Sequence, residues 1–431
     1  MSTSEENELL CRIGPAAPMG KMLRRYWMPV LLASELSAGG RPKRVRVLGE
    51  DFVAFRGADE QLGLLDDACP HRGASLALGS VDGCALRCVY HGWKIDAEGK
   101  VLDTPAEPEE STFKDKIHAM AYPVRELGGL IWGYLGPAGT EPPMMDFAWT
   151  VLPPSHRWIG KIREECNWVQ CVDGILDSVH ISYLHAEAFS AADLDVSVLD
   201  AKGLFVLPSS DGRPRFEVET MPYGFRYAAI RKPLVDPTGT QHVRVTQFVA
   251  PIFTFVPPTS GLFMMQIFVP IDDEHTMFYF VKANVDRPMG DDERTLHETR
   301  SSMRPGTDMD ADFRKARARE NDWLQGESEE PFASRVPGVA MQDMVVQESM
   351  GPISDRTREH LGASDASIIR FRRLMLESVR RFAEHGEPPI GLREPIHYAA
   401  ISAEDRLLPR EAPWQTVGAY DSGLETARSG H

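Results

Sequence analysis

Two short segments of the sequence each combine one thiol with one imidazole. Cys69 and His71 form the first pair, and Cys88 and His91 form the second. The sixteen residues between His71 and Cys88 suit two loop tips that fold side by side. Two Cys and two His can bind a tetrahedral zinc ion, or a [2Fe–2S] cluster in which two His replace two Cys on one iron. Residues that close tight turns and shield a redox centre surround both pairs, and they favour the cluster. They are Pro70, Gly73, Tyr90, Gly92 and Trp93.

A second group of metal-binding residue types lies further along the chain. Asp173, Asp177 and His180 follow the spacing i, i+4, i+7, which places them on one face of a predicted helix. His185 lies off that face by about 140° on a straight helix, so we expect the helix to bend or loosen before it. Two His and one carboxylate form the facial triad of non-haem Fe(II) oxygenases, which leaves positions open at the iron.

The third ligand of such a triad is expected from another part of the chain. Asp343 is the first choice, because it is an acid within an otherwise apolar stretch that is predicted to be helical, and Glu348 is the second choice. Taken alone, two His with nearby Asp residues could equally belong to a satisfied surface helix. The redox centre predicted upstream favours the iron site, because an electron-transfer centre followed by an oxygen-activating iron is a coherent combination.

The length and composition limit the classes of protein. A chain of 431 residues is too long for one core, so two domains are expected. The formal net charge of −16 argues against nucleic-acid binding and against docking on an anionic membrane. Of the six Cys, the four outside the Cys–His pairs lack the spacing of a disulfide framework. The amino end lacks a signal-peptide pattern, and no apolar run reaches the length of a membrane span. A reducing cytoplasm is therefore the expected compartment.

The order of predicted elements indicates an α+β protein in two parts. Residues 1–150 contain many short strands with turn signals after a helical segment near the amino end, which is typical of a small antiparallel β domain. Residues 151–431 contain longer strands and more helix, and Gly–Pro and Pro–Pro steps mark the linker between the two parts. The clearest strands predicted in the second part are 225–231, 242–249, 263–269 and 277–283, and the clearest helical segments are 311–324 and 367–385.

The motif Cys-Pro-His-Arg-Gly followed by Cys-Val-Tyr-His-Gly-Trp resembles the Rieske iron–sulfur signature. Together, the two metal-binding patterns resemble the α subunit of a Rieske non-haem iron aromatic-ring-hydroxylating oxygenase over nearly the whole chain. The resemblance implies a Rieske domain over residues 1–150 and a catalytic domain over residues 151–431, in which helices cover an antiparallel sheet. The implied cluster ligands are Cys69, His71, Cys88 and His91, and the implied ligands of the mononuclear iron are His180, His185 and Asp343.

The resemblance also assigns a role to Asp177. In this family the matching acid bridges the two metal centres across a subunit interface, and by its place in the motif its partner on the neighbouring subunit would be His91. Position 173 is often Asn in the family and is Asp here, so its role is left open.

Four stretches carry a closer resemblance to the phthalate 4,5-dioxygenase group: 6–12, 225–231, 346–353 and 355–361. That resemblance implies an aromatic carboxylate substrate, O₂, a separate flavin and iron–sulfur reductase fed by NADH, and α subunits assembled as trimers or stacked trimers. The implied reaction adds both atoms of O₂ to the ring and gives a cis-dihydrodiol. A monooxygenase that demethylates or hydroxylates a side chain is an alternative. A Rieske electron carrier and a zinc-stabilised binding protein are further alternatives; nearly 300 residues after the cluster domain count against the carrier.

A carboxylate substrate needs a cationic anchor, and Arg suits it because the planar guanidinium can bind two oxygens. Arg244 ranks first, because Val243 and Val245 share the strand face opposite to it, and Arg226 ranks second. Arg226 and Arg231 are five residues apart, so on a regular strand they face opposite sides and at most one of them points inward. Two hydroxyls that flank His180 are further candidates for substrate contacts. They belong to Ser178 and Ser182.

Overall fold

The computed structural model describes residues 3–186, 211–234, 236–257, 262–326 and 329–420. The chain forms two compact units. The smaller unit comprises Ile13–Met145, and the larger unit comprises Met1–Arg12 together with Asp146–His431. The division therefore falls close to the boundary predicted at residue 150, but helix α1 (Ser4–Cys11) belongs to the larger unit rather than to the smaller one.

Short antiparallel strands build the smaller unit, as the turn signals predicted. Helix α2 (Pro18–Leu23) precedes the strands. Within the described residues the strand orders are β1-β10-β9, β2-β3-β4 and β5-β6-β7-β8. The chain reverses between the second and third strands at Leu48 and Gly49, where φ is +50° and +80°. The strands are β1 (Trp27–Leu32), β2 (Lys43–Val47), β3 (Glu50–Arg56), β4 (Leu62–Asp66), β5 (Ser80–Asp82), β6 (Ala85–Arg87), β7 (Lys94–Ile95), β8 (Val101–Asp103), β9 (Val124–Leu127) and β10 (Leu130–Tyr134).

A large antiparallel sheet forms the core of the larger unit. In the described part of the chain its strand order is β11-β17-β16-β15-β14-β13-β12, and β18 pairs with the first half of β14. All four predicted strands are confirmed, each with one or two more residues. The strands are β11 (Arg157–Glu164), β12 (Arg215–Met221), β13 (Gly224–Arg231), β14 (Thr240–Val249), β15 (Phe253–Phe255), β16 (Leu262–Pro270), β17 (Thr276–Asn284) and β18 (Glu404–Pro409).

Helices cover this sheet, in agreement with the predicted α+β architecture. In the described part of the larger unit, the helices after α1 are α3 (Trp168–Leu176), α4 (Asp291–Ser301), α5 (Phe332–Arg335), α6 (Val339–Ser349) and α7 (Ala366–His385). Helix α7 confirms the amphipathic segment predicted at 367–385, and α6 confirms the helix predicted around Asp343. None of the helices in the described ranges is long and apolar enough to span a bilayer.

The helix predicted over residues 311–324 is wrong. Within it, 3₁₀ geometry is confined to Arg319–Leu324, and that segment is itself interrupted by non-helical residues. The carboxylate of Asp310 accepts the N–H groups of Asp312 and Arg314 at 2.8 and 2.9 Å. These bonds satisfy backbone donors without a helix, because a short acidic side chain competes with the helical hydrogen-bond pattern.

The two faces of the sheet have different neighbours. Side chains alternate along each strand, so β13 and β14 present two separate sets of residues. One set packs on the carboxyl-terminal segment around Trp414 and Val417. The other faces α3, where the hydroxyl of Tyr227 donates to the carbonyl of Leu176 at 2.8 Å. The strand residues on the face toward α3 can therefore contact the segment that follows this helix.

Candidate active site

The two Cys–His loops of the smaller unit have matching backbone structures. In each loop the N–H of the Cys donates to the carbonyl of the residue five positions later, at 2.8 Å in both cases. The carbonyl of the Cys in turn accepts the N–H of the Gly four positions later, at 2.8 Å for Cys69 and 3.0 Å for Cys88. Gly73 and Gly92 hold these places, and both have φ of +73°, a conformation that favours glycine.

This backbone directs the four predicted cluster ligands into two pairs. The thiols of Cys69 and Cys88 are buried, whereas the rings of His71 and His91 lie nearer the surface with centroids 4.4 Å apart. The indole of Trp93 stacks on His71 at 4.6 Å and nearly parallel. In the described residues these donors do not converge on one point as a single ion requires. A thiol pair and an imidazole pair fit a two-iron cluster better than one zinc ion.

The charge states of the loop residues agree with a site for a cationic group. Burial raises the pKa of the Cys69 thiol to about 11. Burial and the neighbouring His71 lower the pKa of His91. A buried thiolate at Cys69 is therefore stable only when a metal compensates its charge.

In the larger unit, the helix that carries the first part of the second motif ends earlier than predicted. Helix α3 stops at Leu176, because the Asp177 carboxylate accepts the N–H of Val179 at 2.7 Å and closes a turn. His180 then opens a 3₁₀ turn that ends at Ser182. The prediction that Asp173, Asp177 and His180 share one helix face is therefore wrong, and the loosening expected before His185 already occurs before His180.

Asp173 points to a different part of the unit. Its carboxylate accepts hydrogen bonds from Arg356 at 3.2 Å and from Arg372 at 2.7 Å, and all three side chains are buried. These bonds tie α3 to α7. Asp173 is thus part of a buried structural ion pair and does not join the His residues.

The three side chains predicted to bind mononuclear iron do come together. The ligand atoms of His180, His185 and Asp343 all lie within 4.8 Å of one another. The Oδ1 atom of Asp343 is 2.9 Å from Nε2 of His185 and 3.5 Å from Nε2 of His180. The two imidazole rings are nearly perpendicular, with centroids 5.1 Å apart. Helix α6 supplies the carboxylate, and the loop after α3 supplies both rings.

The chemistry of this donor set fits a metal ion. Gln342 donates its amide N–H to the carbonyl of Val336, so its oxygen faces Nδ1 of His185 at 2.7 Å. Nδ1 of His185 therefore carries the hydrogen, and Nε2 presents a lone pair to Asp343. Two acceptors this close need a cation between them, either a proton or a metal. An imidazole oriented by a hydrogen bond on its other nitrogen is typical of metal-binding His.

The electrostatic environment differs between the two rings. Burial lowers the pKa of His180. Burial also disfavours the charged form of His185, but the Asp343 carboxylate outweighs it and raises the pKa of that ring. In the absence of a metal, a proton on His185 compensates Asp343, and a divalent ion would displace it.

Glu348, the second choice for the third ligand, lies elsewhere. It is completely buried and pairs with the ammonium group of Lys315. Its carboxylate also accepts the indole N–H of Trp323 at 2.9 Å and the backbone N–H of Glu165 at 2.8 Å. Glu348 is therefore fully engaged and does not meet the two His residues.

The two arginines ranked as substrate anchors are already paired. Arg226 lies on the sheet face that packs on Trp414. It donates to the Glu219 carboxylate at 2.6 Å and to the carbonyls of residues 415, 417 and 418. It is not brought to the iron-ligand cluster. Arg244 lies on the face that looks toward α3, but its guanidinium pairs with Asp405 of β18 at 3.2 Å.

Arg231, which was not ranked, has the more suitable position. It shares a sheet face with Arg244 and is 2% exposed. Its guanidinium donates to the carbonyl of Ser178 at 2.6 Å and to the Ser178 hydroxyl at 3.2 Å. Among the described residues its Nη1 has no hydrogen-bond partner, and no carboxylate pairs with it. The opposite-face rule allowed at most one of Arg226 and Arg231 to point inward, and the ranking chose Arg226; in the structure Arg231 is the one on the face toward α3. Ser182 lies in the 3₁₀ turn that begins at His180.

The fold and the two donor sets define a class of protein, an oxygenase subunit in which an iron–sulfur domain precedes a catalytic iron domain. Comparisons with known proteins agree. The Rieske [2Fe-2S] domain family matches residues 26–120, and the family described as LigXa C-terminal domain like matches residues 133–429. The chain is 38% identical to the phthalate 4,5-dioxygenase oxygenase subunit of Pseudomonas putida, over 97% of this chain and 95% of that protein.

Two further relatives show the range of the family. The 5,5'-dehydrodivanillate O-demethylase oxygenase subunit of a Sphingobium species is 33% identical over 93% of this chain and 86% of that protein. A crystal structure of dicamba monooxygenase has the same fold, with a TM-score of 0.59 and 19% identity over 85% of this chain and all of that one.

The chain therefore belongs to the Rieske non-haem iron oxygenases, in the group that includes the phthalate 4,5-dioxygenase oxygenase subunit. It is an oxidoreductase of the kind that acts on aromatic compounds. Enzymes of this family use a Rieske [2Fe–2S] cluster and a mononuclear iron, and they take electrons from NADH through a reductase.

Proposed function

We propose that this protein is the oxygenase component of a dioxygenase system that cis-dihydroxylates an aromatic carboxylate. The observation that carries the proposal is the environment of Arg231. Among the residues that the structure describes, no carboxylate pairs with this guanidinium, and a buried cation of this kind is unfavourable unless an anion compensates it. Burial and the nearby Arg244 lower its pKa to about 10, so it is still cationic at neutral pH. A substrate carboxylate would supply the missing anion beside Ser178, two residues before His180.

The geometry supports the proposed metal ligands. Two thiols and two imidazoles on matched loops would hold the Rieske cluster, and the convergent triad would hold the mononuclear iron. The cluster ligands are Cys69, His71, Cys88 and His91. The iron ligands are His180, His185 and Asp343.

The bound iron supplies the oxygen chemistry, and the residues of the chain prepare the site for it. Gln342 keeps the hydrogen of His185 on Nδ1, so that Nε2 is available as a ligand. Arg231 would hold the substrate carboxylate, and Ser178 fixes the guanidinium through two hydrogen bonds. The strand β13 is buried along its whole length, which excludes water from this side of the site. Ser178 and Ser182 remain the proposed hydroxyl contacts of the substrate.

The proposed partners are a flavin and iron–sulfur reductase that delivers electrons from NADH, and further copies of the same chain. A trimer or a stacked pair of trimers is proposed from the family resemblance. In such a ring each subunit contributes a different surface to each neighbour, which is a heterologous and closed arrangement.

The proposal is tested by oxygen uptake with a panel of aromatic acids. The holoenzyme, NADH and a reductase of this family would be combined with phthalate, isophthalate, a halobenzoate or a phenoxybenzoate. Each acid would be paired with its neutral amide. We expect O₂ and NADH consumption with at least one acid and much less with its amide. Equal consumption of acid and amide would contradict recognition of the carboxylate.

A monooxygenase is the second candidate, because the O-demethylase relative is also similar over most of the chain. Isotope labelling separates the two reactions. With ¹⁸O₂ the proposed dioxygenase incorporates both labelled atoms into one diol, whereas a monooxygenase transfers a single labelled atom. A product with one labelled oxygen would replace the dihydroxylation proposed here by hydroxylation or demethylation of the same class of acid.

A further inference from the structure

A compact group of buried donors lies where β11 runs into α3. Glu164 ends β11, Cys166 precedes the helix cap at Asn167, and Cys171 lies in the first turns of the helix. The carboxylate of Glu164 and the two sulfur atoms all lie within 4.8 Å of one another, and all three residues are buried. None of them has a part in the function proposed above.

Packing explains the two thiols but not the acid. Cys166 precedes the cap and Cys171 is the fourth helical residue, positions at which two apolar side chains commonly pack together. Glu164 is only 1% exposed, and a buried carboxylate is unfavourable without a strong partner. The ammonium group of Lys315 could neutralise such a carboxylate, but it pairs with Glu348 instead. Among the described residues Glu164 is left with the thiol of Cys171, a weak donor, at 3.4 Å.

Two of the three donor–donor distances match those of a tetrahedral metal site, and the third is below 4.8 Å. With zinc–sulfur distances near 2.3 Å, two thiolates on one tetrahedral zinc ion lie about 3.8 Å apart, and a thiolate and a carboxylate oxygen lie about 3.6 Å apart. The Sγ atoms of Cys166 and Cys171 are 3.7 Å apart. The Sγ of Cys171 and the carboxylate of Glu164 are 3.4 Å apart. Both distances can be reached by one ion with almost no movement of the side chains.

We infer that Glu164, Cys166 and Cys171 form a closed binding site for a thiophilic divalent cation, with zinc as the expected ion. Two thiolates and a carboxylate are a ligand set that zinc accepts, and structural zinc sites are typically buried. The hydroxyl of Thr276 donates to the carbonyl of Cys166 at 2.8 Å, which places a further oxygen beside the site. The ion would join the last residue of β11 to the start of α3, and α3 leads directly to Asp177 and His180. This site is separate from the iron ligands.

Cadmium-113 tests the inference, because it replaces zinc and its NMR shift distinguishes thiolate ligands from nitrogen and oxygen ligands. Since the site is closed, the protein would be produced in defined medium that contains iron and ¹¹³Cd. Only holoenzyme with an intact Rieske spectrum would be measured, so that Cys69 and Cys88 are occupied. We expect a thiolate-coordinated signal and about one cadmium per chain, as a single tetrahedral site requires.

Variants locate the signal on the chain. Cys171→Ser and Glu164→Gln should each lower the bound cadmium at least tenfold, whereas Cys84→Ser is the matched control, because that thiol is exposed and outside the group. His185→Ala should leave the thiolate signal unchanged. The absence of a thiolate signal in the wild-type holoenzyme would by itself overturn the inference. A signal that persists in Cys171→Ser, or a disulfide between Cys166 and Cys171 in the purified enzyme, would overturn it as well.

Discussion

Arg231 and Arg244 project from neighbouring strands on the same face of the sheet, and they differ in what neutralises them. Asp405 pairs with Arg244, whereas Arg231 bonds only neutral oxygens among the described residues. A substrate carboxylate would therefore gain more binding free energy from contact with Arg231 than from contact with Arg244. This difference makes the anchor testable with two substitutions on one sheet.

We expect Arg231→Gln to raise KM for an aromatic acid about 10- to 100-fold, since a charge-assisted contact contributes roughly 1.5–3 kcal/mol. KM for the neutral amide of the same acid should change little. Arg244→Gln should raise KM for the acid less than Arg231→Gln does. Steady-state kinetics with the acid and its amide measures both. An equal loss for both substrates would indicate that Arg231 supports the chain at Ser178 and does not contact the substrate.

Asp343 and Glu348 lie on the same helix, but substitutions at these two residues should have opposite effects on iron content and stability. Asp343→Ala should abolish mononuclear iron and oxygenation, because it removes one of three convergent ligands. The Rieske absorption and the unfolding temperature should stay nearly unchanged. Glu348→Gln should keep the iron but lower the unfolding temperature, because it leaves the buried Lys315 without its counter-charge. Iron analysis and thermal unfolding of both variants check this. Full iron content in Asp343→Ala would contradict its role as a ligand.

At the scale of elements, the Cys–His loops illustrate what sequence can predict. Their proposed ligands, their glycines and their turn residues lie within a few positions of each other, so local spacing was sufficient to predict two matching loops that lie side by side. The iron site was harder, because Asp343 comes from a helix far along the chain. The end of α3 was missed, because the capping turn made by Asp177 uses a residue that could also continue a helix.

The choice among the arginines could not be made from sequence for a related reason. It depends on which acids reach each guanidinium, and Asp405 reaches Arg244 only because β18 pairs with β14. Strand pairing over such a separation is set by the packing of the whole unit. Alternation along β13 placed Arg226 and Arg231 on opposite faces, but which face meets α3 followed only from the tertiary structure.

Gly73 offers a test of the loop geometry. Gly73 and Gly83 both have positive φ, +73° and +64°, and an added methyl group at either would meet nothing within 4 Å. An alanine at either position should therefore cost about 1–2 kcal/mol of backbone strain. Only Gly73→Ala should also lower cluster content or shift the reduction potential, because Gly73 closes the loop that carries Cys69 and His71.

Gly83→Ala is the matched control, since it tests the same strain in a hairpin outside both loops. Visible absorption, iron content and thermal unfolding of the two variants would be compared. If both variants keep the full cluster with an unchanged potential, the positive φ of Gly73 is not required for the site.

At the scale of the whole molecule, the amino terminus shows how the chain is organised. Helix α1 belongs to the larger unit, where Asn7 donates to the carbonyl of Ser354 at 3.1 Å and Arg356 donates to Asn7 at 3.0 Å. The carbonyl of Cys11 accepts from Asn167, the cap of α3. The first helix thus supports the helix that leads to the proposed iron ligands. Nothing in its own composition predicted this, because its partners lie more than 150 residues away.

Asp177 connects this architecture to assembly. One carboxylate oxygen closes the turn after α3, and the other lies 3.9 Å from Nδ1 of His180. The side chain is 31% exposed, so a group from another chain can reach it. We propose from the family resemblance that this group is His91 of a neighbouring subunit, and that Asp177 links the two metal centres. Electron transfer through protein weakens steeply with distance, so a hydrogen-bonded link between subunits would shorten the route.

Asp177→Asn isolates the charge of this residue, because an Asn side chain can still accept the N–H of Val179 and keep the turn. We expect the variant to retain both metal centres and the oligomer but to lose most of its turnover. In single-turnover measurements, the spectrum of the reduced cluster should persist after substrate and O₂ are added. Asp355→Asn is the control, since Asp355 closes a similar turn with Thr357. Normal reoxidation in Asp177→Asn, or full activity in a monomer, would contradict the route between subunits.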